Sequence, residues 1–595
     1  MKMKETFEIR IIRSPWSNFY GREIEDSCRT HPDSYLKEIA DEGFNAVWLH
    51  CVLRDIVACD AFPEFGKKKH EQIPALNRLV EKAAAYGIRV FLYLCEPRGF
   101  RENDPFWKNN EDVRGQPADF PGTGEHSGRY SALCSSTQKV KDFLCQSSYN
   151  VFRKVPGLGG VFMITASEFH THCYSHFPRW QKKFNDPFME EWAKQSFNCQ
   201  RCAERHPSDV ASEIITLVNR GIKDASPGAE VIAWNWSWYI LEPEPQKKLL
   251  SQLPKDVIIQ ADFERGAFKT VMHKRLEIDE YSFSYTGPSP RFKNLFHQAK
   301  KRGMRVTAKL QTGATHELVT VPYIPVPYIL AEKLDRMKKM GVDGYLGCWI
   351  FGGNVSAMSK VAGRMSTNPL LSPAQAVREV AVEEFGPGPA DCVARAWKLF
   401  SAAWKTYPFS IPFLYYSPIN YATAYPFDLS AKEIGSIPSW LPLPRDGRGH
   451  IAAGDSTGAW IAPFTAGFVT KVLKKLLMEW EKGVAVLEEG AGQCRAARYQ
   501  NETDMAVHIS LLIMSTMNII RFYDLLKKYR AKTAGTGRLL KELLEDELSI
   551  SERDREIMGR NRDFGYHAEA HEYFITPADI EYKISLLKRQ LKNLP

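Results

Sequence analysis

A carboxylate at the end of an apolar run is the first feature of this chain that could do chemistry. In GGVFMITASEFHTHC, Gly159 to Cys173, a buried-strand pattern over Val161–Thr165 ends in Ser167, Glu168, Phe169 and His170. A core strand gains nothing from a carboxyl at its end unless the carboxyl points somewhere. In a parallel α/β barrel it points into the mouth, at the C-terminal face of the strands. Glu168 is therefore the leading catalytic candidate, against the plainer reading of a helix-entry carboxylate beside a turn. The residues that follow are soft metal ligands: His170, His172, Cys173 and His176, then Cys199 and Cys202. A Cys-x-x-Cys pair with a further Cys and His has the composition of a tetrahedral zinc site. Cys173, Cys199, Cys202 and His170 are the expected ligands of a structural zinc, with buried reduced thiols as the alternative. No cofactor is expected in catalysis, because metal-dependent barrel hydrolases usually present a His-x-His on strand one, and none stands there.

Eight short apolar runs must position these groups: Phe7–Arg13, Ala46–Leu53, Arg89–Cys95, Val161–Thr165, Val231–Trp236, Val257–Asp262, Val306–Leu310 and Gly344–Phe351. Amphipathic helices precede several of them, at Ser34–Glu42, Pro74–Tyr86, Lys293–Lys301 and Pro327–Met340. Each is closed by a glycine (Gly43, Gly87, Gly303, Gly341), which is αβ-loop chemistry. The alternation predicts an α/β fold, a (β/α)₈ TIM barrel over residues 1–365, with a long Cys/His loop after strand four, 169–210. A ninth apolar run, Tyr281–Tyr285, is expected as an extra strand or hairpin after strand six. From residue 366 to 595 long helical periodicities predict a mostly α-helical C-terminal domain. It is interrupted by the aromatic segment FLYYSPINYATAYPF, which either folds back over the barrel mouth or straps helices together.

Residues just past the strand ends of a barrel converge on one bowl. Those expected to bind substrate are Arg13 and Trp16 (strand one), Glu96 and Arg98 (three), Asn235 and Trp236 (five), Tyr285 (the extra run), Gln311 and Glu317 (seven) and Trp349 (eight). Flat aromatic faces mixed with carboxylates, amides and arginine suit sugars, whose C–H faces pack on rings and whose hydroxyls need planar donors and acceptors. A glycosidase normally needs two carboxylates. Glu168 suits the general acid, since burial beside aromatics keeps a carboxyl protonated. The second is not at the tip of strand seven, which reads Lys309, Leu310, Gln311. A sugar carrying a 2-acetamido group removes the need, because its carbonyl oxygen can attack the anomeric carbon while the protein supplies the acid and orients the acetamide.

The segments SEFHTHC, NCQRC, EPR and CWIFGGNVS resemble a group of bacterial barrel proteins related to the β-N-acetylgalactosaminidases of glycoside hydrolase family 123. The resemblance is distant and covers roughly the first 360 residues. It implies a retaining, substrate-assisted β-N-acetylhexosaminidase that prefers galactosamine and acts on glycans or glycoconjugates with a terminal N-acetylhexosamine. Such enzymes usually carry Asp or Asn just before the acid. Here Ser167 stands there, which leaves Ser167, Asn235, Asp262 or Glu317 to hold the acetamide, with Tyr285 suited to its oxygen. The other readings are a two-carboxylate glycosidase pairing Glu168 with Glu317 or Glu96, and a barrel that only binds glycans.

Bulk properties narrow the partners. The net charge of +9 is spread over 595 residues without a long basic block, so no nucleic-acid partner is expected. No uninterrupted apolar stretch reads as a membrane span, and the N-terminus has no apolar signal region. Twelve scattered cysteines without a secretion signal point to reduced thiols or metal ligands and to a cytoplasmic location. The helical domain leaves a homodimer open.

Overall fold

Apolar runs without alternation are strands buried on both faces, as parallel sheets require. In the computed structural model, which describes residues 6–121, 127–178, 193–430, 457–491 and 496–594, eight of them close into one barrel. They are β1 (Ile9–Ile12), β2 (Ala46–Cys51), β3 (Arg89–Leu94), β4 (Gly160–Ile164), β5 (Glu230–Trp234), β6 (Ile258–Asp262), β7 (Val306–Lys309) and β8 (Gly344–Leu346). Each strand lies parallel to its neighbours in sequence, and β1 pairs with both β2 and β8. The fold is the expected TIM barrel followed by a largely helical C-terminal region.

Side-chain alternation assigns the inside of the barrel. Ile9, Ile11, Ala46, Trp48, Phe91, Tyr93, Phe162, Ile164, Ile232, Trp234, Ile258 and Leu346 form one buried cluster, distinct from the larger one between strands and helices. Rings fill much of the interior, the carboxyl of Asp262 and the ammonium of Lys309 stand at the strand tips, and Gln260 and Thr307 pair with each other below them. Two glycines show local necessity. Gly341 closes the helix Pro327–Met340 in the left-handed region at φ +76°, where a Cβ would be strained. At Gly160 a Cβ would lie 2.1 Å from the Glu230 carbonyl oxygen, so β4 can approach β5 only without a side chain.

The helix expected from Pro74 starts at Lys69, with Pro74 inside it. The run Tyr281–Tyr285 is not a strand. The hairpin of this region lies just before it, Ala267–Val271 paired with Lys274–Ile278, and residues 281–285 form a buried loop held by side chains. A second feature escaped the sequence pattern: a three-stranded antiparallel sheet, Phe100–Arg101, Ser127–Leu133 and Arg114–Pro121, inserted between β3 and β4.

The C-terminal region packs the helices Pro373–Phe385, Pro387–Trp404, Ala466–Ala491, Ala497–Arg530, Thr536–Arg560 and Pro577–Leu591. A helix over Ala357–Thr367 runs across the expected domain boundary. Ala497–Arg530 is long and apolar enough to cross a membrane by length and composition, but 83% of its apolar window is buried inside the fold. A helix apolar all round is here the central helix of a bundle. A short hairpin, Tyr566–His567 with Glu572–Tyr573, separates the last two helices.

Candidate active site

The chain turns sharply after β4. Ser167 has φ +70°, left-handed for a residue with a Cβ, a conformation that costs roughly 1–2 kcal/mol and needs support from its surroundings. The support is visible. The Ser167 hydroxyl pairs with that of Ser237, its N–H donates to Ser175 O at 2.9 Å, and His176 Nε2 donates to its carbonyl at 2.8 Å. The turn presents Glu168 at the barrel mouth. Burial pushes the Glu168 carboxyl up to about 7, partly opposed by the Arg98 guanidinium. Arg98 lies 3.6 Å over the Phe169 ring and pairs with His50 Nε2 at 2.8 Å.

Glu168 belongs to a group of carboxyls around one tyrosine. Burial raises the Tyr281 phenol well above its ordinary value, and Glu280, Asp262 and Glu168 all add to the shift. Asp262, at the tip of β6, accepts from Trp234 Nε1 at 3.1 Å. Burial lifts it to about 6 against the pull of Arg265 and Lys309. Burial raises Glu280 to about 7. Lys309, at the tip of β7, sits 4.2 Å over the Tyr281 ring and is lowered by burial to about 8. The aromatic walls are Trp236, 5.8 Å from Tyr281, and Trp349, stacked on Trp48 at 5.2 Å. Arg13 lies 4.2 Å over Trp48 and is paired with Glu23 at 2.5 Å. Asn235 stands at the end of β5, its N–H donating to Gln260 O.

The helical region reaches into this bowl twice. The aromatic segment folds back as one of its two readings expected: Tyr415 donates to Glu280 Oε2 at 2.6 Å, and Asn420 Oδ1 accepts from Val319 N at 2.9 Å. Its later part, Tyr425 and Phe427, instead packs on Tyr523 and Phe522 of the central helix. The second intrusion, from the C-terminal hairpin, has no counterpart in the sequence reading. Glu569 is 3% exposed. Burial raises it well above the usual carboxylate range, Glu168 and Glu280 add to that, and the Trp349 side chain donates to it. Among the described residues its Oε2 has no hydrogen-bond partner. Ala568 packs on the barrel-interior cluster, and Phe19 N donates to His571 Nε2 at 3.2 Å.

Several expected substrate ligands have other work. Trp16 is 58% exposed and lies edge-on to Tyr35. The Tyr285 hydroxyl donates to Pro288 O, and its charged neighbours are Arg336 and Glu264. Tyr281, not Tyr285, meets the carboxyls. Glu96 accepts from Leu53 N at 2.7 Å and Arg98 N at 2.9 Å, bracing the β2 and β3 loops. Glu317 is fully buried and accepts from the Ser282 hydroxyl, Phe283 N, Ser284 N, the Thr315 hydroxyl and Trp404 Nε1. Gln311 ties Lys309 Nζ, Trp349 N, Ala314 O and Phe351 O together. Neither Glu96 nor Glu317 is placed to attack a sugar, because their oxygens are spent on the backbone around them.

The metal expectation changes by one residue. Cys173, Cys199 and Cys202 gather with Cys134, not His170. His170 Nε2 is 2.6 Å from Gln116 O and its Nδ1 faces His176 and Ser175. Part of the expected loop, residues 179–192, lies outside the described residues.

Beside the acid a cavity of about 460 Å³ opens over β1 to β4, lined among others by Phe19, Tyr20, His50, Arg98, Tyr130 and Phe169. Glu168 is not on its wall. Phe169, next in sequence, and Arg98, whose charge acts on Glu168, are.

No family model matches the sequence, and no curated protein does. Among solved structures the chain is similar to the O-GlcNAc hydrolase of Thermobaculum terrenum (11% identity, covering 99% of this chain and 95% of that one, TM-score 0.38). It is also similar to the chitobiase of Flavobacterium johnsoniae (12% identity, 93% and 78% covered, TM-score 0.37) and the β-mannanase of the blue mussel Mytilus edulis (11% identity, 60% and 91% covered, TM-score 0.32). At these scores the activities of those proteins remain their own.

Proposed function

We propose that the chain is a glycoside hydrolase, a retaining, substrate-assisted β-N-acetylhexosaminidase with Glu168 as general acid and base. The observation that carries the reading is a carboxyl at the end of β4, held near 7 by burial, which acts on the same Tyr281 phenol as a second carboxyl, Asp262, held near 6. Burial raises both above their ordinary values, and the higher of the two suits the acid. Glu168 keeps its proton for the leaving oxygen, while Asp262 is ionised and accepts the acetamide N–H. The Tyr281 hydroxyl donates to the acetamide oxygen as it attacks the anomeric carbon, taking the place first given to Tyr285. In the second half-reaction Glu168 removes a proton from water, which opens the oxazolinium ion with retention. The preference for β-N-acetylgalactosamine rests on the family resemblance alone.

The test is hydrolysis of 4-nitrophenyl β-N-acetylgalactosaminide, β-N-acetylglucosaminide and β-galactoside by wild type, Glu168→Gln and Asp262→Asn. Turnover of the acetamido sugars only, lost in Glu168→Gln and reduced in Asp262→Asn, supports the reading. Turnover of the plain galactoside with trapping by a 2-fluoro sugar overturns it in favour of a two-carboxylate enzyme, with Asp262 as the nucleophile to examine first. Glycan binding without turnover, unchanged in Glu168→Gln, makes the protein a lectin-like barrel.

A further inference from the structure

Four cysteines from three separate stretches converge beside the candidate acid. Cys134 follows the inserted strand Ser127–Leu133, Cys173 lies five residues beyond Glu168, and Cys199 and Cys202 flank and enter the short helix Gln200–Ala203. All four are buried, and their sulfurs lie within 4.8 Å of one another. Cys134 Sγ is 3.8 Å from Cys199 Sγ and 3.7 Å from Cys202 Sγ. A disulfide would need about 2.05 Å. A tetrahedron with zinc–sulfur bonds of about 2.3 Å has edges of about 3.8 Å. The spacing is that of ligands around an ion rather than of bonded sulfurs.

The surroundings suit thiolates. Gln116 N points at Cys173 Sγ at 3.4 Å, Arg201 Nε at Cys134 Sγ at 3.4 Å, and the Ser136 hydroxyl lies 3.1 Å from Cys202 Sγ. Such outer donors orient the sulfurs and offset their charge. Gly115 leaves room for the cluster, since a Cβ there would come within 2.7 Å of Cys173 Sγ. With four sulfurs and no open position, the site is a closed, structural type.

We propose that Cys134, Cys173, Cys199 and Cys202 bind one zinc ion, which fastens the inserted sheet and the helix Gln200–Ala203 to the turn that carries Glu168. Cys173 is the link. Its segment reaches back to the turn through Ser167 N–H to Ser175 O and His176 to Ser167 O. The ion takes no part in the reaction, and the proposal stands apart from the glycosidase reading.

The test is metal analysis of the full chain, purified under reducing conditions without added metal. One zinc per chain is expected in the wild type and in His170→Ala, and less than about one tenth in Cys134→Ser and Cys199→Ser. Cys348→Ser, in β8's following loop, keeps the metal. Reconstitution with cobalt(II) is expected to give the visible bands of a tetrahedral thiolate complex. Where the serine variants fail to fold, wild-type protein treated with a mercurial in the presence of a zinc-sensitive dye releases one equivalent as four thiols react. Fully reduced wild type that carries no metal and gives no cobalt–thiolate bands overturns the proposal, as does retention of zinc in a folded Cys134→Ser variant.

Discussion

The Tyr415 hydroxyl donates to Glu280 Oε2 at 2.6 Å, joining the aromatic segment of the helical region to a carboxyl in the loop after β6. This bond is among the influences that hold Glu280 down against burial. Tyr415→Phe removes it, so Glu280 keeps its proton to higher pH. A lost hydrogen bond to a charged group is worth about 1.5–3 kcal/mol. The variant is expected to lose that much stability at pH 8, where Glu280 is ionised, and less at pH 6, where it carries its proton, read in urea unfolding. An equal loss at both values would place Tyr415 in packing alone.

The pH profile follows from two groups. Asp262 must be ionised and Glu168 protonated. Activity therefore rises as pH climbs through about 6 and falls as it climbs through about 7. The kcat/KM profile reports these groups in the free enzyme. Glu168→Gln should remove the alkaline limb and lower activity by about 10²- to 10⁴-fold, the usual worth of a general acid. An alkaline limb that persists in that variant would assign it to another group.

Glu569 makes a different prediction. Burial and its carboxylate neighbours favour its protonated form, and the amide of Glu569→Gln copies that form. That variant should keep kcat/KM within about threefold. Glu569→Ala takes away an oxygen free to meet a sugar hydroxyl, and KM should rise by about 5- to 150-fold, the worth of about 1–3 kcal/mol. Calorimetric titration of an inhibitor into the three proteins checks this. Equal affinity in all three would make the hairpin a plug rather than a ligand.

Glu317 should behave as a structural group. Its carboxylate accepts five hydrogen bonds, one of them from Trp404 on the helix Pro387–Trp404. Glu317→Gln turns an amide toward those donors and should cost about 2–4 kcal/mol of stability, read in urea unfolding. The folded fraction should keep its KM. A stable variant without activity would restore Glu317 as a nucleophile.

The barrel was legible because its signal is local. Each strand is a short apolar run, and four of the preceding helices have a glycine stop, so all eight strands begin within a few residues of their expected starts. Glu168 was legible for the same reason, as a polar break at the end of such a run. Residues that depend on distant pairing were not. Cys134 stands 39 positions before Cys173 and follows an antiparallel sheet that the βα rhythm does not announce, so the nearer His170 looked the better ligand. Tyr285 and Tyr281 are alternatives of one irregular loop. Only the bonds from Glu317 to residues 282–284 decide which of them faces inward. Glu569 lies between two helices in a polar stretch, where nothing in the pattern points to a barrel 400 residues earlier.

The insertion of the C-terminal hairpin also sets an order in time. Arg13 and Glu168 leave the ribosome well before Glu569. At about 5–20 residues per second the 223 positions from Leu346, where the last barrel strand ends, to Glu569 take roughly 10–45 s to synthesise. Throughout that interval a nascent barrel holds its acid but lacks the lining that Glu569 supplies. A message cut short before the hairpin codons would yield the strands, the turn and the acid, yet never the finished bowl.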